Sequence, residues 1–532
     1  MGKYFALIFL LFTVVLDSCE KVPYPPADPD CKVPVIRDDN MIIEVLEDSL
    51  FLSLVLENYD TIMIPEKCII NYSLDSSEWK LICEFVGRGS RSYPFYKENL
   101  EIMIDTVIIN PSGFVPPSAL IKCSLAAPGI MKAKVIGRSE LSADFNCTYK
   151  ELKTEYEIPI FGLYSDYENI VELSIVDLNG KTITADSIKI PIEPYTRVQC
   201  GEMNVVTNAL SGIQKNRLFF IQNAVYDGAG DVRWYTIHSG EKFFTLSGDL
   251  IGIQVFPDKG WINPGPDILI IDHFGFIQDT FNVPNRLHHE ISEKTPGGNL
   301  LVATNAQPYV NTDDDTEDMI VEIDRETGAV LKEWDLRQIF DPERPRIWTE
   351  NRNDWCHLNS IQYDNLDNTL LISSKLQCFI SKIDYETGQI KWILGNHNNW
   401  GEKWQPYLLD PLNFDTTNHI DQDWTYAQHM PRLTGDGTIM VYDNGMQRPG
   451  GEFGRAVEYR VDQVQMTVEK IWSHNLGYPA RTMGSVHIYE DNTVQIGHGG
   501  LYHIYVVSRD GDILFDGALK TFYRSYDISF YD

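Results

Sequence analysis

One unit recurs from Gly201 onward and restricts the fold of this chain more than any other feature. Val321-Glu-Ile-Asp-Arg-Glu-Thr-Gly-Ala-Val-Leu-Lys-Glu-Trp334 parallels Ser381-Lys-Ile-Asp-Tyr-Glu-Thr-Gly-Gln-Ile-Lys-Trp392, and weaker copies run from Val457 to Trp472 and from Tyr505 to Leu514. Each reads as a strand, a turn rich in Asp and Gly, and a second strand closed by Trp or another large apolar residue. A hairpin of this size cannot bury its apolar face alone, so copies must pack against one another, as they do around the axis of a β-propeller. The spacing between copies varies, which makes the repeat irregular, with long inserted loops. About 330 residues at roughly 40–50 per blade allow six or seven blades, and a six-bladed β-propeller over 200–532 is the expectation. The competing arrangement places the same hairpins, unrelated to each other, in one large sandwich.

Upstream the pattern differs. Short strands with period-two alternation, such as Lys132–Ile136 and Glu155–Ile160, are divided by turns such as Asn179-Gly180-Lys181, a strong hairpin signal. The expectation is an all-β chain: a β-rich segment over 41–108, a β-sandwich over 109–195, a boundary near Glu193-Pro194-Tyr195, then the propeller. With 43% apolar residues there is enough material for cores of this size.

At the N-terminus an apolar stretch from Phe5 to Leu16 follows Met1-Gly2-Lys3. It has the length of a signal-peptide core and is too short to span a bilayer. Leu16-Asp17-Ser18-Cys19 resembles a bacterial lipobox, with Asp17 where a small or apolar residue is usual. Residues 1–18 are therefore expected to be a lipoprotein signal peptide. Cys19 is then the lipidated residue, and 19–40, with its Pro-rich Val22–Pro26, a tether. That makes the chain an exported lipoprotein of a bacterial cell envelope, in contact with the membrane only through the anchor. Eight further cysteines show no paired C-x-x-C pattern, and Cys356 and Cys378 could bridge or stay free and buried. The formal net charge of −32 excludes nucleic acid and anionic lipid as partners and requires any anion site to be locally basic.

Three histidines stand at the mouths of short apolar strands: His289 in Leu-His-His-Glu, His357 in Trp-Cys-His-Leu-Asn-Ser, and His429 in Gln-His-Met-Pro-Arg. Equivalent positions in a repeat converge at its axis, so the three are expected in one channel. His288, the neighbour of His289, is expected to point the other way, because side chains alternate along a strand. Three imidazoles suggest zinc first. However, no H-E-x-x-H or H-x-H spacing accompanies them, and the groups that recur nearby are cationic: Lys375, with Arg432 and Arg448. Imidazoles among cations make an anion site in which one neutral imidazole can serve as nucleophile. No metal or cofactor is expected, and no Gly-rich loop that would cradle a nucleotide phosphate is present. Trp355, Tyr426 and Tyr442 could stack on an aryl ring or simply fill the core.

Several motifs together resemble bacterial aryl-sulfate sulfotransferases that use no nucleotide sulfate donor. They are Asn110-Pro111-Ser112-Gly113, Ile160–Tyr164, His288-His289-Glu290, His357–Ser360, Ser373-Ser374-Lys375, Lys391–Gly395, Gln428-His429 and Tyr442–Gly445. The resemblance covers roughly Asn110 to Asp532. It implies a six-bladed propeller that moves a sulfuryl group from an aryl sulfate donor to a phenolic acceptor by a ping-pong mechanism. His429 would carry the group as a sulfohistidine, while His289 and His357 would handle protons and bind sulfuryl oxygens. Lys375 stands where the family has arginine, keeping the charge but losing the bidentate fork. A homodimer is the assembly left open. The alternatives are a catalytically degenerate, surface-anchored binding lipoprotein on the same scaffold, and a quinone-dependent dehydrogenase propeller. The dehydrogenase would need calcium and regular Trp repeats. The uneven spacing of Trp334, Trp392 and Trp472 argues against it, and Asp313-Asp314-Asp315 lacks the ligand spacing of a calcium loop. None of the cysteines has the C-x-P-x-R setting that a hydrolytic sulfatase needs.

Overall fold

The computed structural model describes residues 101–531, apart from 177–181, 196–197, 249, 256–265, 307–316, 348–353, 416–419 and 521, together with strand backbone between 41 and 96. The expected signal peptide, Cys19, the tether and Asp313-Asp314-Asp315 lie outside the described residues.

After the strands between 41 and 96 comes an antiparallel sheet of Ile102–Ile109, Ala119–Val135, Phe145–Ile160, Tyr167–Val176 and Thr182–Ile192. It starts at Ile102, ahead of the expected boundary at 109. The long strand Ala119–Val135 explains its shape. Ala119, Ile121, Cys123 and Leu125, then Met131, Ala133 and Val135, are buried at every second position, as a strand with one covered face requires. Its first half pairs with Ile102–Ile109 and its second half with Tyr167–Val176, while Phe145–Ile160 follows it along both.

Six four-stranded antiparallel sheets follow among the described residues, two of them extended by a fifth strand. Their first strands stand side by side. Leu287–Glu293 packs on Leu358–Asp364, which packs on His429–Leu433; next come Ser485–Ile488 and Ser525–Asp527. Lys242–Leu246 packs on Leu287–Glu293, and its Phe244 meets Tyr523 and Tyr526, so the ring closes. This arrangement of sheets around a ring of first strands is a propeller. The C-terminal strand Ser525–Asp527 belongs to the sheet whose other three strands, Leu218–Ile221, Ala224–Asp227 and Val232–Tyr235, open the propeller. The two ends of the domain are thereby zipped together.

The recurring hairpins are the third and fourth strands of their sheets: Met319–Ile323 with Val330–Asp335, and Phe379–Asp384 with Ile390–Gly395. Their turns are the same structure twice. Asp324 Oδ1 accepts from Thr327 N at 2.7 Å, and Asp384 Oδ1 from Thr387 N at 2.9 Å. The glycine of each turn, Gly328 or Gly388, has φ 71°, the left-handed conformation that a side chain disfavours. Between the two domains, buried Arg233 donates to Gly162 O at 2.9 Å, Ala143 O at 3.1 Å and Asp227 Oδ2 at 2.8 Å. A Cβ on Gly162 would fall 2.2 Å from the Phe145 ring, so that close approach needs glycine.

Candidate active site

Each of the three histidine-bearing first strands breaks its ladder at its mouth. The register shifts between Leu287 and Ile291, between Leu358 and Ser360, and between His429 and Arg432. At the same places non-glycine residues take positive φ: His289 at 44°, His357 at 51°, and Met430, beside His429, at 48°. Such a conformation costs on the order of 1–3 kcal/mol and persists only where the surroundings over-determine it. Here it turns imidazoles out of the strand's alternation and into one cavity of about 390 Å³, lined by His289, His357, Lys375 and His429 together. The rings of His289 and His357 have centroids 4.5 Å apart.

One expectation fails for this reason. His288 does not point away from His289: both line the cavity, and their Nδ1 atoms are 3.1 Å apart. Strict alternation assumes extended φ, and His289 does not have it.

His429 is buried, and its Nδ1 lies 2.8 Å from Asn444 Oδ1 and 3.0 Å from Ala427 O. The amide of Asn444 is oriented by its own donors, which reach Ala480 O at 3.1 Å and Met483 O at 2.9 Å. Both neighbours of Nδ1 are therefore acceptors, so Nδ1 carries the proton and Nε2 keeps its lone pair. Burial first, and then the Lys375 ammonium, hold His429 well below the ordinary imidazole value, so it is neutral. Its neighbour Gln428 donates to Ser374 O at 2.9 Å and Phe379 O at 2.8 Å, fixing this strand against the turn that carries Lys375. Lys375 is itself buried, and its N–H donates to His357 O at 3.2 Å.

His357 is the opposite case. Burial and Lys375 disfavour its cation, but carboxylates overcome both and raise it to about 9. Its Nδ1 is 2.6 Å from Asp354 Oδ2, where it donates, and 2.6 Å from Glu317 Oε2. Glu317 Oε2 also lies 3.6 Å from His289 Nδ1. Burial chiefly, with the neighbouring cationic groups, keeps His289 well below the ordinary value despite that carboxylate. The site thus holds one cationic and one neutral imidazole close to a neutral His429, the division of labour that acid and nucleophilic catalysis need.

Arg432 and Arg448 do not line the cavity. Arg432 donates to Ser360 Oγ at 2.6 Å and Glu290 Oε2 at 3.1 Å, and Arg448 pairs with Asp443. Lys242 and Arg286 line it instead. Trp355, Tyr426 and Tyr442 are core residues; the aromatic ring in the cavity wall is Tyr523, whose OH donates to His289 O at 2.7 Å. Cys356 and Cys378 are free and buried. Glu317 and Asp354 carry no signal in the sequence, because neither falls at a recognised spacing from a histidine. They make two donor sets with atoms within 4.8 Å that could hold a metal ion: His288, His289 and Glu317, and Glu317, Asp354 and His357.

The family model for Arylsulfotransferase (ASST) matches residues 201–511 and that for the Arylsulfotransferase Ig-like domain matches residues 106–193. The chain belongs to the arylsulfotransferase family. It is, accordingly, a sulfotransferase. The arylsulfate sulfotransferase AssT of Escherichia coli O6:H1 is 24% identical to it over 522 residues, covering 76% of this chain and 86% of that protein. The enzyme of the same name from Lelliottia amnigena is 24% identical over 483 residues, covering 70% and 80%. Among solved structures, a catalytically inactive variant of virginiamycin B lyase from Staphylococcus aureus overlaps 60% of this chain and 88% of its own, at 12% identity and a TM-score of 0.32. Within the arylsulfotransferase match lie all four expected site residues, His289, His357, Lys375 and His429.

Proposed function

We propose that this arylsulfotransferase moves a sulfuryl group from an aryl sulfate to a phenol in two steps, with His429 Nε2 as the carrier. In the first step the Nε2 lone pair forms an N–S bond as the S–O(aryl) bond breaks, and the departing phenolate takes a proton from His357. In the second, an acceptor phenol gives its proton to His357, now neutral, while its oxygen displaces His429 from sulfur. Lys375 opposes the negative charge that the sulfuryl oxygens carry through both steps. His289, neutral beside His357, donates a hydrogen bond to the same oxygens.

The observation that carries this reading is the fixed tautomer of His429. Two acceptors hold its Nδ1–H, so a neutral imidazole offers Nε2 in a cavity that also holds an ammonium and a cationic acid. A phenolate is a good leaving group, so a single histidine acid suffices. The lipid anchor on Cys19, placing this activity at the cell envelope, belongs to the same proposal.

Incubation with a chromogenic aryl sulfate and no acceptor tests it. One phenol should be released per chain, with one acid-labile sulfuryl adduct on His429 by intact-mass and peptide analysis, and His429→Ala should abolish both. An adduct on another residue, or full turnover by His429→Ala, removes His429 as carrier. A binding protein with a degenerate site would give neither burst nor adduct.

A further inference from the structure

We propose that His288, His289 and Glu317 form a site for a divalent transition-metal ion of the zinc type in the wall of this cavity. The donors come from two strands of one sheet: His288 and His289 from Leu287–Glu293, and Glu317 just ahead of Met319–Ile323. Adjacent residues in a regular strand cannot serve one ion, because their side chains diverge. The positive φ of His289 removes that obstacle and brings the two Nδ1 atoms to 3.1 Å. His289 Nδ1 lies 3.6 Å from Glu317 Oε2, and all three donors fall within 4.8 Å. Bonds of about 2.0–2.1 Å to a tetrahedral zinc ion place its ligand atoms about 3.3 Å from one another. The two measured edges bracket that value.

The hydrogen bonding points the same way. Glu317 Oε2 is buried and lies 2.6 Å from His357 Nδ1. That nitrogen has a single proton and shares it between Glu317 and Asp354 Oδ2, also at 2.6 Å. A carboxylate oxygen has more than one lone pair, and a cation between Glu317 and His289 would engage the one that His357 leaves open. Likewise two Nδ1 atoms facing each other share at most one proton, whereas a metal ion accepts the lone pair of each. Lys242 also lines the cavity, and Glu241 lies 3.9 Å from its ammonium and offsets it. Two imidazole nitrogens and one carboxylate oxygen suit zinc and its neighbours better than calcium or magnesium, which take oxygen shells. Three protein ligands leave a fourth position open, as a site that engages a substrate oxygen requires. That the open position takes an anionic oxygen of the aryl sulfate rests on the proposed function; the metal binding itself does not.

The test uses the full chain, dialysed against a chelator and titrated with Zn²⁺ by calorimetry and with Co²⁺ by visible absorption, without substrate. One ion per chain is expected, with ligand-field bands from nitrogen coordination. His288→Ala and the isosteric Glu317→Gln should each weaken binding at least about 10–100-fold, the loss that even outer-shell changes produce. No saturable binding by the wild type, or wild-type affinity in both variants, overturns the site. If zinc binds as described but no sulfuryl adduct forms on His429, the metal site stands and the transfer reading falls. If the adduct forms on a chain that binds no zinc, the converse holds.

Discussion

Asn444 is the residue through which the nucleophile can be interrogated without touching it. It does not act on substrate in the proposed mechanism: it is a positioning residue, whose Oδ1 accepts from His429 Nδ1 at 2.8 Å. Asn444→Ala removes one of two acceptors and leaves Ala427 O at 3.0 Å in place. One net hydrogen bond is worth about 0.5–1.5 kcal/mol, so the first-step rate should fall by a factor of about 2–13. Asn444→Asp is more informative, because it keeps the shape and adds a charge. At present burial and Lys375 depress the His429 pKa, so its neutral form persists well below the ordinary value of 6.5. A carboxylate against Nδ1 favours the cation and should raise that pKa by about 1–3. The sign follows: a nucleophile must be unprotonated, so the acid limb of the first step moves to higher pH in Asn444→Asp. In the wild type it is expected below the ordinary imidazole value, because burial and Lys375 depress the His429 pKa. Stopped-flow release of a chromogenic phenol without acceptor, from mildly acidic to mildly alkaline pH, reads the limb directly. A purely structural role for Asn444, through its donors to Ala480 and Met483, would lower melting temperature and leave the limb where it is. An unmoved limb in a folded Asn444→Asp, or a wild-type limb at or above the ordinary imidazole value, refutes the tautomer assignment.

Two further outcomes follow from the same site and from the N-terminus. Lys375→Ala should slow transfer by about 10²–10³-fold if the ammonium stabilises the sulfuryl oxygens, while Lys375→Arg should retain or raise the rate, because the guanidinium adds a second donor; single-turnover phenol release decides both. Cys19→Ser should move the protein from the membrane fraction to a soluble exported pool, and unchanged fractionation would dismiss the lipid anchor.

The fold was legible where local chemistry repeats. The turns Asp324 to Gly328 and Asp384 to Gly388 are the same because one Asp oxygen caps the Thr three residues on and only glycine relaxes into the last position. That logic is entirely short-range, so it can be read from a linear string. The strand Ser525–Asp527 is different. It belongs to a sheet begun some three hundred residues earlier, and three residues carry no periodicity that would announce a partner at 218–235.

The site divides along the same line. His289, His357 and His429 each precede a turn and an apolar run, so their equivalence is written in sequence. Their chemical states are not. Whether an imidazole here is acid, base or nucleophile depends on carboxylates and amides that arrive from other strands. Glu317, from the third strand's approach, helps make His357 cationic, and Asn444, beyond the end of Ile439–Asp443, helps fix the proton of His429. The bulges matter as much. Period-two alternation places His288 away from His289, and a single φ of 44° reverses that placement. A positive φ at a non-glycine residue has no sequence signature, because it is imposed by the packing around it and offset by none of its own side-chain atoms. In this propeller the residues that convert a cluster of histidines into a differentiated site are therefore those for which tertiary structure overrides local pattern. Three imidazoles with equal intrinsic basicity become one cation and two neutral bases only in the folded site: burial keeps His289 and His429 neutral, with Lys375 adding to it at His429, while Glu317 and Asp354 make His357 cationic.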